Sequence, residues 1–206
     1  GTIKMANYHY SDVELVESYS NSRQAILKID SVVYGTLSVK FPAFLTDFSQ
    51  TFDATWNTED VFGRMDPIAT YQGTKRTVSL GFDVPSATLE GAKFNLEKIQ
   101  NLVKMVYPVY SDISGAKILS KPPLVRVQFA NLLKGNGKGD SENEGPLGWI
   151  SGLAWNPDLQ IGMFAQNGEF FPKVIKISFQ FNVLHETTLG QNETDLGTWP
   201  FGVGGT

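Results

Sequence analysis

A chain of 206 residues, 41% hydrophobic and 18% charged, is long and apolar enough to enclose one sizeable core. A net charge of −4 argues against a surface built to hold nucleic acid. The absence of cysteine removes disulfide and thiolate chemistry and suits folding inside a cell. No apolar run is long enough to span a membrane as a helix, so no membrane insertion is expected. The first residues lack the basic-then-apolar build of a signal peptide.

In chain order, residues 1–22 are polar with scattered tyrosines and read as a loosely held arm. Residues 25–29 and 32–39 read as two short strands with Asp30-Ser31 as a tight turn, and Pro42 blocks continuation as a central strand. Phe52, Ala54 and Trp56 alternate with Asp53 and Thr55, which predicts a strand. Residues 57–71 hold Gly63 and Asp66-Pro67 and read as a turn-rich link. From Thr77 to Val84, Val78, Leu80, Phe82 and Val84 alternate with polar or small residues, and Pro85 ends the strand.

Residues 86–107 predict an amphipathic helix, N-capped by Ser86 or Thr88 and stopped by Pro108. Its expected apolar stripe is Ala92, Leu96, Ile99, Val103 and Val106, beside Leu89 and Leu102. Pro122-Pro123 opens a strand with Val125, Val127 and Phe129 inward. Residues 134–146, first glycine-rich and then acidic, read as a mobile loop. Two strands, 147–155 and 159–164, are expected to join at Asn156-Pro157-Asp158.

The clearest signal lies at residues 173–185, where Ile175, Ile177, Phe179, Phe181 and Val183 alternate with Lys176, Ser178, Gln180 and Asn182. A period of two over this length marks a half-buried antiparallel strand. With the Thr77–Val84 strand it is expected to form a shared wall. Residues 187–206 are polar and glycine-rich and read as a tail that orders only against a partner. The expected organisation is an arm over 1–22, one β domain over 23–186, and that tail.

Nothing in the sequence points positively to catalysis, although carboxylate pairs such as Glu59-Asp60 occur. The two histidines, His9 and His185, sit in a polar arm and at a strand end, and no G-x-S-x-G elbow or metal-spaced histidine pair occurs. Asp140–Gly145 imitates a calcium loop, but the twelfth position is Ser151 rather than glutamate and Pro146 intrudes. Gly135–Gly139 lacks the Lys-Ser/Thr ending of a phosphate loop. The expectation is a protein that is not an enzyme and takes no cofactor or metal.

The most distinctive stretch is Val61-Phe62-Gly63-Arg64-Met65-Asp66-Pro67, followed by Tyr71, Gly73-Thr74 and Arg76. Gly63 permits a sharp bend, and Arg64 and Arg76 offer forked donors that can tie a loop to carboxylates or carbonyls. Around it stand a Trp-bearing strand, a helix with internal Asn95 and a Tyr107-Pro108 end, Pro122-Pro123-Leu124-Val125, and Pro172-Lys173 before the last strand. In this order the features, over about residues 44–186, resemble the tube-initiator and baseplate-hub proteins of contractile phage tails.

The resemblance implies a mainly β subunit, an antiparallel sandwich or barrel of tail-tube type with one flanking helix. It implies a homo-oligomeric ring, a hexamer, in the tail of a virion, assembled in the host cytoplasm. Its neighbours would be tail-tube and baseplate hub proteins, and DNA would pass through the lumen without specific binding. Phe62, Gly63, Arg64, Asp66, Tyr71, Thr74 and Arg76 become candidates for the assembly interface. The alternative reading is a monomeric β-barrel that binds a small ligand or glycan, with Tyr34, Trp149, Trp155 and Trp199 available to stack on sugars.

Overall fold

The computed structural model describes residues 26–35, 37–42, 44–60, 62, 63, 65–113, 116–134 and 145–185. The expected N-terminal arm, most of the acidic loop, the glycine-rich tail, Arg64 and Trp199 lie outside the described residues. The chain is mainly β, as the alternation predicted. Its strands are β1 (Ile26–Ser31), β2 (Ser38–Pro42), β3 (Phe44–Glu59), β4 (Ile68–Pro85), β5 (Val109–Ile113), β6 (Ala116–Lys121), β7 (Val125–Phe129), β8 (Leu147–Pro157), β9 (Met163–Gln166), β10 (Glu169–Pro172) and β11 (Val174–Leu184). A helix, α1 (Leu89–Val106), separates β4 from β5.

Seven strands form one antiparallel sheet in the order β2-β1-β7-β8-β11-β4-β3. The two strongest strands of the sequence are neighbours in it. Their ladder runs without a register shift from Val174↔Pro85 to Val183↔Arg76. Ile175, Ile177, Phe179, Phe181 and Val183 are buried, as are Val78, Leu80, Phe82 and Val84. At about 1.5–3 kcal/mol per large apolar side chain, the β11 set alone contributes roughly 8–15 kcal/mol before chain entropy is subtracted.

The strand order puts β2 and β3 at opposite margins, yet only residue 43 separates them in the chain. Consecutive Cα atoms stand about 3.8 Å apart, so Pro42 and Phe44 lie within about 7.6 Å of each other. The sheet therefore rolls until its margins meet there, and its apolar face becomes an interior. Phe41 of β2 accordingly meets Phe82 of β4, with 5.4 Å between ring centroids. Pro42 closes β2 at the sheet margin, where its missing N–H costs no ladder bond.

The helix caps on Thr88, whose side chain accepts from Gly91 N at 3.1 Å. Its buried face is rotated from the expected stripe: Ala92, Asn95, Lys98, Ile99, Leu102 and Met105 face in, while Leu96, Val103 and Val106 are only half-buried. Two polar residues explain the rotation. Asn95 Nδ2 donates to Pro85 O at 3.2 Å and ties the helix to the end of β4. Lys98 lies with its ammonium 4.4 Å from the Phe94 ring centroid, so its stem is covered.

Other expected boundaries move. Asp30 and Ser31 are not a turn but the end of β1; Ser31 keeps the inward alternation of Leu27 and Ile29, and its Oγ accepts from Tyr34 N. The turn falls at residues 32–35, closed by Leu37 N donating to Tyr34 O. Residues 159–161 are a turn rather than a strand, because Asp158 Oδ1 accepts from Gln160 N at 3.0 Å. The expected link over 57–71 is strand at both ends, since β3 reaches Glu59 and β4 begins at Ile68, and the turn is confined to the residues between them.

Candidate assembly surface

Past the Val183↔Arg76 pair β11 ends, but β3 and β4 continue together from Asp53↔Lys75 to Glu59↔Ile68. At ~3.4 Å per residue, residues 68–75 carry this two-stranded ribbon about 27 Å beyond the sheet. Every described residue from 51 to 72 is exposed. One face of the ribbon continues the core side of the sheet: Gln50 pairs with buried Val78, Phe52 with Arg76, and Trp56 with Tyr71. Trp56 and Tyr71 pack edge to face at 5.3 Å, and the Tyr71 hydroxyl hydrogen-bonds Thr74 Oγ1. At the tip Gly63 takes φ +87°, which a side chain would strain, and Phe62 and Met65 are fully exposed.

The structure thus strings Phe62, Gly63, Asp66, Tyr71 and Thr74 along one exposed ribbon. Arg64 lies outside the described residues. Arg76 parts from the rest: it is 1% exposed, at the root of the ribbon. Its Nε and Nη2 donate to Gln50 Oε1 at 3.1 and 2.7 Å, and its guanidinium sits 5.6 Å from the Phe52 ring centroid. Gln50 Nε2 in turn donates to Leu132 O at 3.3 Å, fastening the root to the turn after β7. Burial pushes the Arg76 pKa down to about 10, so the side chain stays charged at neutral pH. Burial, and then the Arg76 charge, hold the His185 imidazole below its ordinary 6.5.

The uncovered face of the wall is dominated by hydroxyls and amides. Ser49, Thr51, Thr77, Ser79, Ser178, Gln180 and Asn182 share it, opposite the buried face. Asn182 Nδ2 donates to Ser151 Oγ at 2.9 Å and so links β11 to β8. Charge sits at its two ends: the exposed Asp53–Lys75 cross-strand pair follows at one, and Lys176 pairs with Asp158 at 3.1 Å at the other. That pairing, with the Gln160 N–H, holds the Asp158 carboxyl below its usual range. Beside it is a hollow of about 310 Å³ lined by Asp47, Asp83, Asn156, Lys176 and Ser178, with Gly81 as its floor. A Cβ on Gly81 would stand 3.2 Å from Asp47 Cβ and Thr46 Oγ1.

A second projecting feature had no counterpart in the sequence reading. β5 and β6 form their own two-stranded sheet, with Tyr110 paired to Leu119 and both 58% exposed. The available signal was the run of β-formers between Pro108 and Pro122, Val109-Tyr110 and Ile118-Leu119. Asn167-Gly168 likewise marked the β9–β10 hairpin, and both residues take positive φ there.

Among the described residues no three His, Asp or Glu stand together as a metal site, and no helix is long and apolar enough to cross a membrane. A scan against protein-family models and a search of curated proteins return no match to this chain.

Proposed function

We propose that the chain is a structural subunit of a contractile tail, forming a ring of the central tube where the tube starts at the baseplate. The observation that carries this reading is the two-sided wall of β3, β4, β11 and β8. One side is buried under the core, and the other offers hydroxyls and amides with few charges. A bore needs such a surface if DNA is to slide past, because lysine and arginine on it would hold phosphates. The chain's net charge of −4 acts in the same direction. The order of motifs from the Trp56 strand to Pro172-Lys173 supports the same assignment by resemblance. The exposed ribbon fits a subunit that makes its tightest contacts with copies and neighbours rather than with a small substrate.

No catalytic role, cofactor or membrane contact enters this reading. The alternative is a monomeric glycan binder, for which Tyr34, Trp149 and Trp155 are each part-exposed.

Light scattering and negative-stain microscopy of the purified chain test the proposal. Closed rings with an open centre, hexameric by the resemblance, are expected. Arg64→Ala is expected to abolish rings while leaving the far-ultraviolet spectrum and melting temperature intact. A strict monomer up to the solubility limit would sink the proposal, and normal ring entry by the variant would remove Arg64 from the interface.

A further inference from the structure

We infer that the β3–β4 ribbon of one copy docks on the β5–β6 hairpin of the next. This rests on the ring reading above and names the two surfaces that make the ring. Both features are two-stranded, and a lone two-stranded sheet is marginal in water unless something covers it. Each presents an exposed apolar cross-strand pair: Trp56 with Tyr71 on the ribbon, Tyr110 with Leu119 on the hairpin. Their charges are opposite in sign. Among the described side chains, Asp53, Glu59, Asp60 and Asp66 outnumber Lys75 on the ribbon, whereas the hairpin carries Lys121 at its end, and all six are exposed. Within one chain the two hairpins belong to separate sheets and share no strand pairing.

A second copy fits this pair of surfaces for a geometric reason. The acidic surface and the basic surface are different patches, so the contact is head-to-tail rather than self-matching. Such contacts repeat from copy to copy and close when the rotation divides a circle. Two ribbons meeting each other across a two-fold axis would set Asp66 and Glu59 against their own copies, which like-charge repulsion disfavours. Aromatic anchors in the middle with charges at the margin are the usual layout of a specific interface.

The chain contains no cysteine, so single-cysteine variants report contacts cleanly. Thr70→Cys and Ser120→Cys, both at exposed positions, are mixed at ring-forming concentration and oxidised. A disulfide between the two variants is expected, with little from either variant alone. Lys121→Glu should raise the concentration for half-assembly about tenfold, and adding Asp66→Lys to it should recover most of the loss. Circular dichroism of each variant checks that the fold is kept. If wild-type rings form yet no mixed disulfide appears and Lys121→Glu assembles normally, the ribbon–hairpin contact is wrong while the ring reading stands. If the wild type forms no rings and the mixed cysteine variants form no disulfide, both fall.

Discussion

Strand β4 passes through two environments, and the contrast divides the molecule. From Arg76 to Val84 it lies between β3 and β11 with its even-numbered residues buried; from Ile68 to Lys75 it has β3 alone and its side chains are exposed. The first stretch is held by its place in the core cluster, which also takes in Phe41 of β2 and Ile99, Leu102 and Met105 of the helix. The second is held by its ladder and one aromatic pair. A single strand can thus serve the core at one end and stand in solvent at the other. Residues at the free end are released from the volume constraints that govern the buried end.

The widest test of that contrast compares two aromatic truncations. Phe181→Ala, at a fully buried position, should lower stability by about 3–5 kcal/mol. Trp56→Ala, 56% exposed on the ribbon, should cost no more than about 1 kcal/mol. Chemical denaturation measures both. Equal losses would mean the ribbon is part of the cooperative core, and the division would fail.

A smaller effect is expected where the wall is tightest. A Cβ on Gly148 would stand 2.1 Å from Asn182 O and 2.8 Å from Phe181 Cε2, so β8 and β11 can approach only with glycine there. Gly148→Ala should destabilise by about 1–3 kcal/mol. Hydrogen exchange should show the added opening in the β8–β11 ladder and leave the ribbon amides unchanged. Faster exchange confined to the ribbon would reverse the assignment of rigid and free parts.

The smallest effect concerns pH at the junction between the two environments. The folded-state pKa of His185 lies below its ordinary 6.5, so above that pH the imidazole is neutral in both folded and unfolded chains. As pH falls through 6.5, the unfolded chain takes up the proton more readily, and stability drops until the folded-state pKa is passed. The melting temperature should therefore decline on acidification through this window, and His185→Gln should flatten the decline. A variant that tracks the wild type would show that Arg76 and burial do not act on this ring.

Much of the body was legible in the order of residues. The alternations at 77–84 and 173–185 named the inward side chains correctly, because a strand sends successive residues to opposite faces whatever packs on them. The helix was legible for a similar reason, but its orientation was not. Hydrophobicity cannot register that Asn95 is drawn inward by the Pro85 carbonyl or that Lys98 is covered by lying along Phe94. The ribbon was legible only in part: the alternation of Phe52, Ala54 and Trp56 marked its first strand, whereas residues 57–59 and 68–71 carry no such alternation and read as a link. Arg76 looked like a surface donor beside Arg64, and only the neighbouring strand brought Gln50 to it.

Local chemistry therefore set the long strands at 77–84 and 173–185, the helix, and which side of those strands avoids water. These depend on the backbone period and on side-chain polarity, both written residue by residue. The three-dimensional arrangement settled how far β3 and β4 run past the sheet, that β2 and β3 bring its margins together, and that Arg76 turns inward while Tyr71 stays out. Those outcomes depend on partners far apart in the chain, as Gln50 is from Leu132 and Val183 from Arg76. No window of neighbouring residues contains such pairs.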